Sequence, residues 1–262
     1  MTVIVGWIPF EKVSDSYYPA SAYIASDSRV TQEHFKNIDC AQKVFFSQNS
    51  PNIFGFCGDV IAGMNLISHA ITLLDAGIGR ETSIEERFKL VSDLIERDDI
   101  QNRIVTILHI TRKGYRGFGC CCYSVQDGKC TMNVYPIESN SQKPFSVVFG
   151  TGTSEYKTKY ATFESGNSAK TSRNVFQALG SMIASVTTPS CGGSIQLVGL
   201  YHEGYGRPFG FVQDDSVFLC GHKIPKELVP GDIELRNSLF ERCDPKTLML
   251  IKGAQAQPNE LL

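Results

Sequence analysis

Apolar strand segments in this chain come in blocks, and helical segments come in pairs between the blocks. That order argues for a layered α+β domain with antiparallel sheets and against alternating βαβ units. The first block holds TVIVGWI, SAYIASDSRVT, KVFFS and NIFGFCG, the last two separated by the turn-like QNSPN. Asp59 is placed to cap a helix running to about Ala76, with Met64, Ile67, Ile71 and Leu74 at helical spacing and Gly77 as its stop. Ser83 to Glu86 is a capping box that opens a second helix, with Ile84, Phe88, Val91 and Ile95 on one face.

Strands then return as IVTILHITR, GFGCCCYSV, CTMNVYPI and FSVVFG, with Asp127-Gly128 as a hairpin turn. Two more helices are expected around Ser154 to Phe163 and Ser168 to Ser185. SIQLVGLYH, FGFVQ and SVFLCG follow as strands, and the last thirty or so residues read as a short helix plus a tail. There is no internal repeat, low-complexity tract or linker, so residues 1–262 are read as one domain whose two helical blocks cover the outer faces of two stacked sheets.

Composition narrows the function. The chain has 262 residues, 42% of them apolar, enough for a full core. A formal charge of -2 without runs of like charge points away from nucleic acid and from membrane surfaces, and no apolar run reaches the length of a membrane span. No basic-then-apolar leader precedes the first strand, so the mature start is expected at Met1 or, once Met1 is removed, at Thr2. Nine cysteines, three of them adjacent as Cys120, Cys121 and Cys122, suit free thiols in a reducing compartment, and the expected location is cytoplasmic. Cys120 and Cys122 share a strand face without a second ligand pair, and the five histidines are scattered. Burial as small hydrophobes is therefore the expectation for the cysteines, with no metal site and no cofactor.

The stretch MTVIVGW puts a buried strand directly behind Thr2, where most domains leave a polar tail. Four further pieces follow in order: Asp27 in YIASDSRVT, Lys43 in QKVFF, Gly58 in GFCGDVIAG and Thr151 in VVFGTG. Singly, each has an ordinary explanation as a turn former, an edge lysine or a tight-turn glycine. As an ordered set over roughly residues 2 to 220, they resemble the catalytic β-type subunits of the proteasome family, including the bacterial relatives HslV and Anbu.

That resemblance implies a four-layer αββα sandwich and a nucleophilic N-terminal threonine, here Thr2 after loss of Met1. A free α-amine with a pKa of about 8 can act as the base for such a hydroxyl. By the same resemblance Lys43 eases ionisation of the hydroxyl, Asp27 holds Lys43, the Gly58 amide serves the oxyanion, and Thr151 supports the amine. Aligning on Gly192-Gly193 puts Cys191 where the family has a serine and Thr188 where it has an aspartate, with Ser190 as a substitute hydroxyl. Between Thr2 and Asp27 the chain is about nine residues longer than the family's spacing, in the loop-like FEKVSDSYYP. Val30, Phe45, Phe56 and Val60 are expected to line an apolar substrate pocket favouring uncharged side chains of modest size, and Thr31 to pair with substrate backbone.

The function implied is a threonine-type peptidase or amide hydrolase acting through an acyl-enzyme on peptides or unfolded protein. It is expected to work as a homo-oligomeric ring or stacked array, with an ATPase as a possible feeding partner. A catalytically inactive ring or scaffold subunit and a small-amide amidohydrolase are the two alternatives. The tail from about Asp232 onward diverges from the family.

Overall fold

In a computed structural model, which describes residues 2–31, 37–98, 100–166, 169–185 and 190–254, the chain is α+β with mostly antiparallel sheets. The first block forms β1 (Val3–Ile8), β2 (Phe10–Val13), β3 (Ser16–Pro19), β4 (Ser21–Ser26), β5 (Val44–Phe46) and β6 (Asn52–Gly58). Helices α1 (Val60–Asp75) and α2 (Ile84–Arg97) follow, then β7 (Ile104–Lys113), β8 (Gly117–Gln126), β9 (Lys129–Tyr135) and β10 (Phe145–Gly150). The second helical pair is α3 (Thr153–Glu164) and α4 (Ser172–Ile183). The chain continues through β11 (Gln196–Tyr201), β12 (Arg207–Gln213), β13 (Ser216–Leu219) and β14 (His222–Ile224), and then β15 (Leu235–Arg236) and β16 (Arg242–Cys243).

The local signals act as their chemistry requires. Asp59 accepts a hydrogen bond from the Ala62 amide at 2.9 Å and starts α1. Ser83 and Glu86 exchange both bonds of the capping box at the start of α2. Asp127 and Gly128 both take positive φ (51° and 77°), as a tight β8–β9 hairpin demands.

One sheet runs β10-β1-β4-β11-β12-β13-β14, with β15 joining β12 in parallel and β16 joining β15; the other runs β5-β6-β7-β8-β9. Side chains on β1 alternate between two buried environments. Val3, Val5 and Trp7 pack with Phe176, Leu179 and Met182 of α4, whereas Ile4 and Ile8 meet Ile53, Leu108 and Ile110 of the other sheet. On the far side, Phe54, Phe56 and Tyr123 pack against Leu66 and Ile67 of α1 and Phe88 and Val91 of α2. The two sheets therefore face each other and each carries a helical pair outside. Because β1 is buried on both faces, its sequence reads as an unbroken apolar run.

Several details differ from the sequence reading. Met64 is exposed, and the buried face of α1 runs through Leu66, Ile67, Ala70 and Leu74, because Gly63 seats directly on the Phe56 ring and turns the helix. FEKVSDSYYP is not a loop: its residues pair as the β2–β3 hairpin, from Phe10↔Pro19 to Val13↔Ser16. Beyond Asp232 no helix forms among the described residues. Leu235 and Cys243 instead make short strands with a small core of their own, while Phe240 lies on Trp7 and Phe176 with ring centroids 5.8 and 5.0 Å away. Cys120, Cys121 and Cys122 are all buried as free thiols, and burial pushes the thiols of Cys121 and Cys122 up to about 12. No helix among the described residues is long and apolar enough to cross a membrane.

Candidate active site

The chain turns polar where β4 ends. Asp27 is fully buried, and its carboxylate collects four donors. Oδ1 accepts from the Val3 amide at 3.2 Å and from Lys43 Nζ at 3.0 Å. Oδ2 accepts from the amides of Arg29 at 3.1 Å and Gly192 at 3.2 Å. Lys43 is itself fully buried and also donates to the Arg29 carbonyl. Burial lowers the pKa of its ammonium, and Asp27 only partly offsets this. The result is a lysine held close to β1, easier to deprotonate than one in water.

Gln196, the first residue of β11, locks this arrangement from below. Its side-chain amide donates to the carbonyls of Asp27 at 2.9 Å and Ala41 at 2.7 Å, and its Oε1 accepts from the Lys43 amide at 2.9 Å. The Ser26 hydroxyl donates to the Val3 carbonyl at 2.9 Å and ties the start of β1 to β4. On the other edge of β1, Val3 pairs with Gly150. Gly150 has φ +102°, and a Cβ there would sit 1.9 Å from the Thr2 carbonyl oxygen, so only glycine fits.

Thr2 is almost fully buried, yet it lines a cavity of about 390 Å³ together with Arg29, Val30, Thr31, Gly58, Asp59, Val60, Ile61 and Arg103. Gly58 has φ +110°, and a Cβ would lie 2.4 Å from the Ile104 carbonyl oxygen. Two ion pairs flank the space: Arg29 Nε to Asp39 Oδ1 at 2.7 Å, and Arg103 Nη1 to Asp59 Oδ2 at 2.7 Å. The Val30–Ile38 bridge, with Val30 N–H donating to the Ile38 carbonyl at 2.7 Å, closes the loop behind Val30.

The structure thus gathers Thr2, Val30, Thr31, Gly58 and Val60 around one cavity, with Asp27 and Lys43 joined to the strand that carries Thr2. It does not bring every expected residue there. Phe56 lies in the core under α1, and Phe45 packs against that core with its ring 6.2 Å from Phe56. Neither ring lines the cavity, because strand alternation turns both toward the helices. Thr151 is exposed on the turn after Gly150 and is also absent from the cavity wall. Cys191 is buried beside that turn: a Cβ on Gly152 would meet its Sγ at 3.2 Å. Burial, aided by the negative charge of Asp27, pushes the Cys191 thiol up to about 11, so it stays protonated at neutral pH. Thr188 lies outside the described residues.

Sequence reasoning missed Gln196 and the cavity residues Arg29, Asp59, Ile61 and Arg103 as contributors. A glutamine inside the apolar run SIQLVGLY was the available signal, since a buried amide needs partners. Among the described residues, no three His, Cys, Asp or Glu side chains come together as a metal site. No protein-family model matches the sequence, and no curated protein matches it either.

Proposed function

We propose that the protein is an amide hydrolase, a threonine-type peptidase, whose nucleophile is the Thr2 hydroxyl exposed with a free α-amine by removal of Met1. The observation that carries this reading is the shared use of Asp27 Oδ1: the amide next to Thr2 and the Lys43 ammonium meet on one carboxylate oxygen. A buried cation is thereby fixed on the same carboxylate oxygen as the amide that follows Thr2, a residue that lines the cavity. On this reading the sheets and helical pairs form the four-layer αββα sandwich of proteasome-like N-terminal-nucleophile hydrolases, and the protein works as a cytoplasmic homo-oligomer.

The chemistry follows from the groups present. The Thr2 α-amine takes the hydroxyl proton as Oγ1 attacks the scissile carbonyl, and the Gly58 amide receives the charge that develops on oxygen. The leaving amine takes that proton as the C–N bond breaks, leaving an ester on Thr2. Water then adds to the ester, the acyl C–Oγ1 bond breaks, and the new carboxylic acid leaves as the Thr2 hydroxyl is restored. Lys43 lowers the cost of the oxyanionic Oγ1, and Asp27 keeps Lys43 in place. Val30, Val60 and Ile61 supply an apolar wall, while both flanking arginines are already paired with carboxylates. Uncharged side chains of modest size are the substrates this favours.

The deciding experiment joins intact mass to turnover. A chain that begins at Thr2 should cleave uncharged fluorogenic peptides, and T2A should abolish cleavage. A protein purified from its natural host that retains Met1, or a T2A variant as active as wild type, would rule the proposal out.

A further inference from the structure

A larger cleft, of about 510 Å³, opens elsewhere on the molecule, and none of its lining residues lines the Thr2 cavity. Four cations converge on it: Arg80, Arg87, Arg112 and Lys113. Among the described residues the wall carries a single carboxylate, Glu203, and none of the four cations forms an ion pair.

These cations are held by the fold. Arg87 is buried and donates from Nη1 to the Thr111 hydroxyl at 2.6 Å and to the Arg112 carbonyl at 3.2 Å. Arg112 bridges two loops, donating to the Gly114 carbonyl and, at 2.6 Å, to the Gly204 carbonyl, while its Nε is buried without a partner. Lys113 Nζ donates to the Thr82 carbonyl at 2.9 Å. The described hydrogen bonds of these three cations go to neutral oxygens, with Glu203 acting on Arg112 and Glu86 on Lys113 only through charge at longer range, and Arg80 is exposed at the edge. Burial lowers the pKa of Arg87, and the neighbouring Arg112 charge lowers it further. Fixed guanidinium groups with free donor capacity are the usual means of holding phosphate.

The rim has a different character. The rings of Tyr115 and His202 lie 4.6 Å apart, and Tyr115 and Tyr205 are each about half exposed. Arg116 already lies over the Tyr115 ring at 5.2 Å, so the half-exposed Tyr205 is the ring offered to a planar group whose attached phosphate reaches the cations. The volume falls within the range of small-ligand sites. We propose that this cleft binds a phosphorylated small molecule with a planar ring, of the nucleoside phosphate class. Its concave shape favours a small ligand over the flat face of a second protein.

Calorimetric titration of the full protein with adenosine diphosphate, pyrophosphate and adenosine tests this. The diphosphate should bind tightest, pyrophosphate more weakly, and adenosine not measurably. R80Q/K113Q changes two exposed side chains and should weaken diphosphate binding about tenfold for each cation removed, with unchanged thermal unfolding. Equal affinity for diphosphate and pyrophosphate would remove the ring from the proposal. No binding of either, or binding unaltered by R80Q/K113Q, would overturn it. If the variant instead changes the oligomeric state and phosphates do not bind, the cluster is an interface between copies and the proposal fails.

Discussion

Asp27 and Lys43 form an ion pair at 3.0 Å in which both side chains are sealed from solvent, yet the two are not equally supported. Without Lys43, Asp27 keeps three backbone donors from Val3, Arg29 and Gly192. Without Asp27, Lys43 keeps only the Arg29 carbonyl among its described partners.

This asymmetry predicts an order of stabilities. D27N should lower the unfolding free energy by about 3–5 kcal/mol, the usual cost of stranding a buried charge. K43M should cost clearly less, and D27N/K43M should fall short of the sum of the two. Urea denaturation of the three variants measures all of this, and equal single-variant losses would contradict it.

The lowered pKa of Lys43 gives a second prediction, with a definite sign. Burial depresses the folded-state value below the ordinary 10.5, so between the two values the unfolded chain binds more protons. Stability contributed by this site therefore rises with pH through that window and is flat below it. K43R, which keeps the cation without titrating, is the reference. The difference in unfolding free energy between wild type and K43R should grow in favour of wild type as pH rises toward 10.5.

Gly150 offers a test of position. G150A would drive a methyl group into the Thr2 carbonyl, which lies 1.9 Å from the ideal Cβ. Peptide turnover should fall by about 10²-fold as Thr2 shifts, and stability by about 1–3 kcal/mol. G253A has a comparable φ of +83° with nothing within 4 Å, and should leave turnover unchanged.

The thiols supply a fourth. Cys40 is exposed, whereas Cys191 and the three consecutive cysteines are buried. Brief alkylation of the native protein, followed by peptide mass mapping, should mark Cys40 and spare Cys120, Cys121, Cys122 and Cys191. C191A should retain most of the turnover that T2A abolishes. Loss of activity in C191A with the fold intact would place Cys191 in the catalytic machinery and overturn this expectation.

What could be read in the sequence was mostly local or periodic. The Asp59 cap, the Ser83–Glu86 box and the Asp127-Gly128 turn depend on neighbours within a few residues, so their chemistry was visible in one dimension. Asp27, Lys43 and Gly58 were found through their order behind Thr2. The orientation of Phe45 and Phe56 was not legible, because which face of a strand meets which layer depends on partners far along the chain. Arg29 and Arg103 reach the cavity from loops that carry no periodicity. The parallel pairing of Leu235 with Gly210 joins segments that only the finished sheet brings together.

The position of β1 also sets an order of events during synthesis. The strand leaves the ribosome long before one of its two neighbours, β10, which spans Phe145–Gly150. At roughly 5–20 residues per second, one edge of β1 stays unsatisfied for on the order of ten seconds. The backbone groups along that edge stay open to water, and to any strand able to pair with them, throughout that interval. Once β10 docks, Val3 and Ile4 keep no exposed surface and Thr2 only 4%, so the folding of the sheet sets how long this edge is open to mispairing.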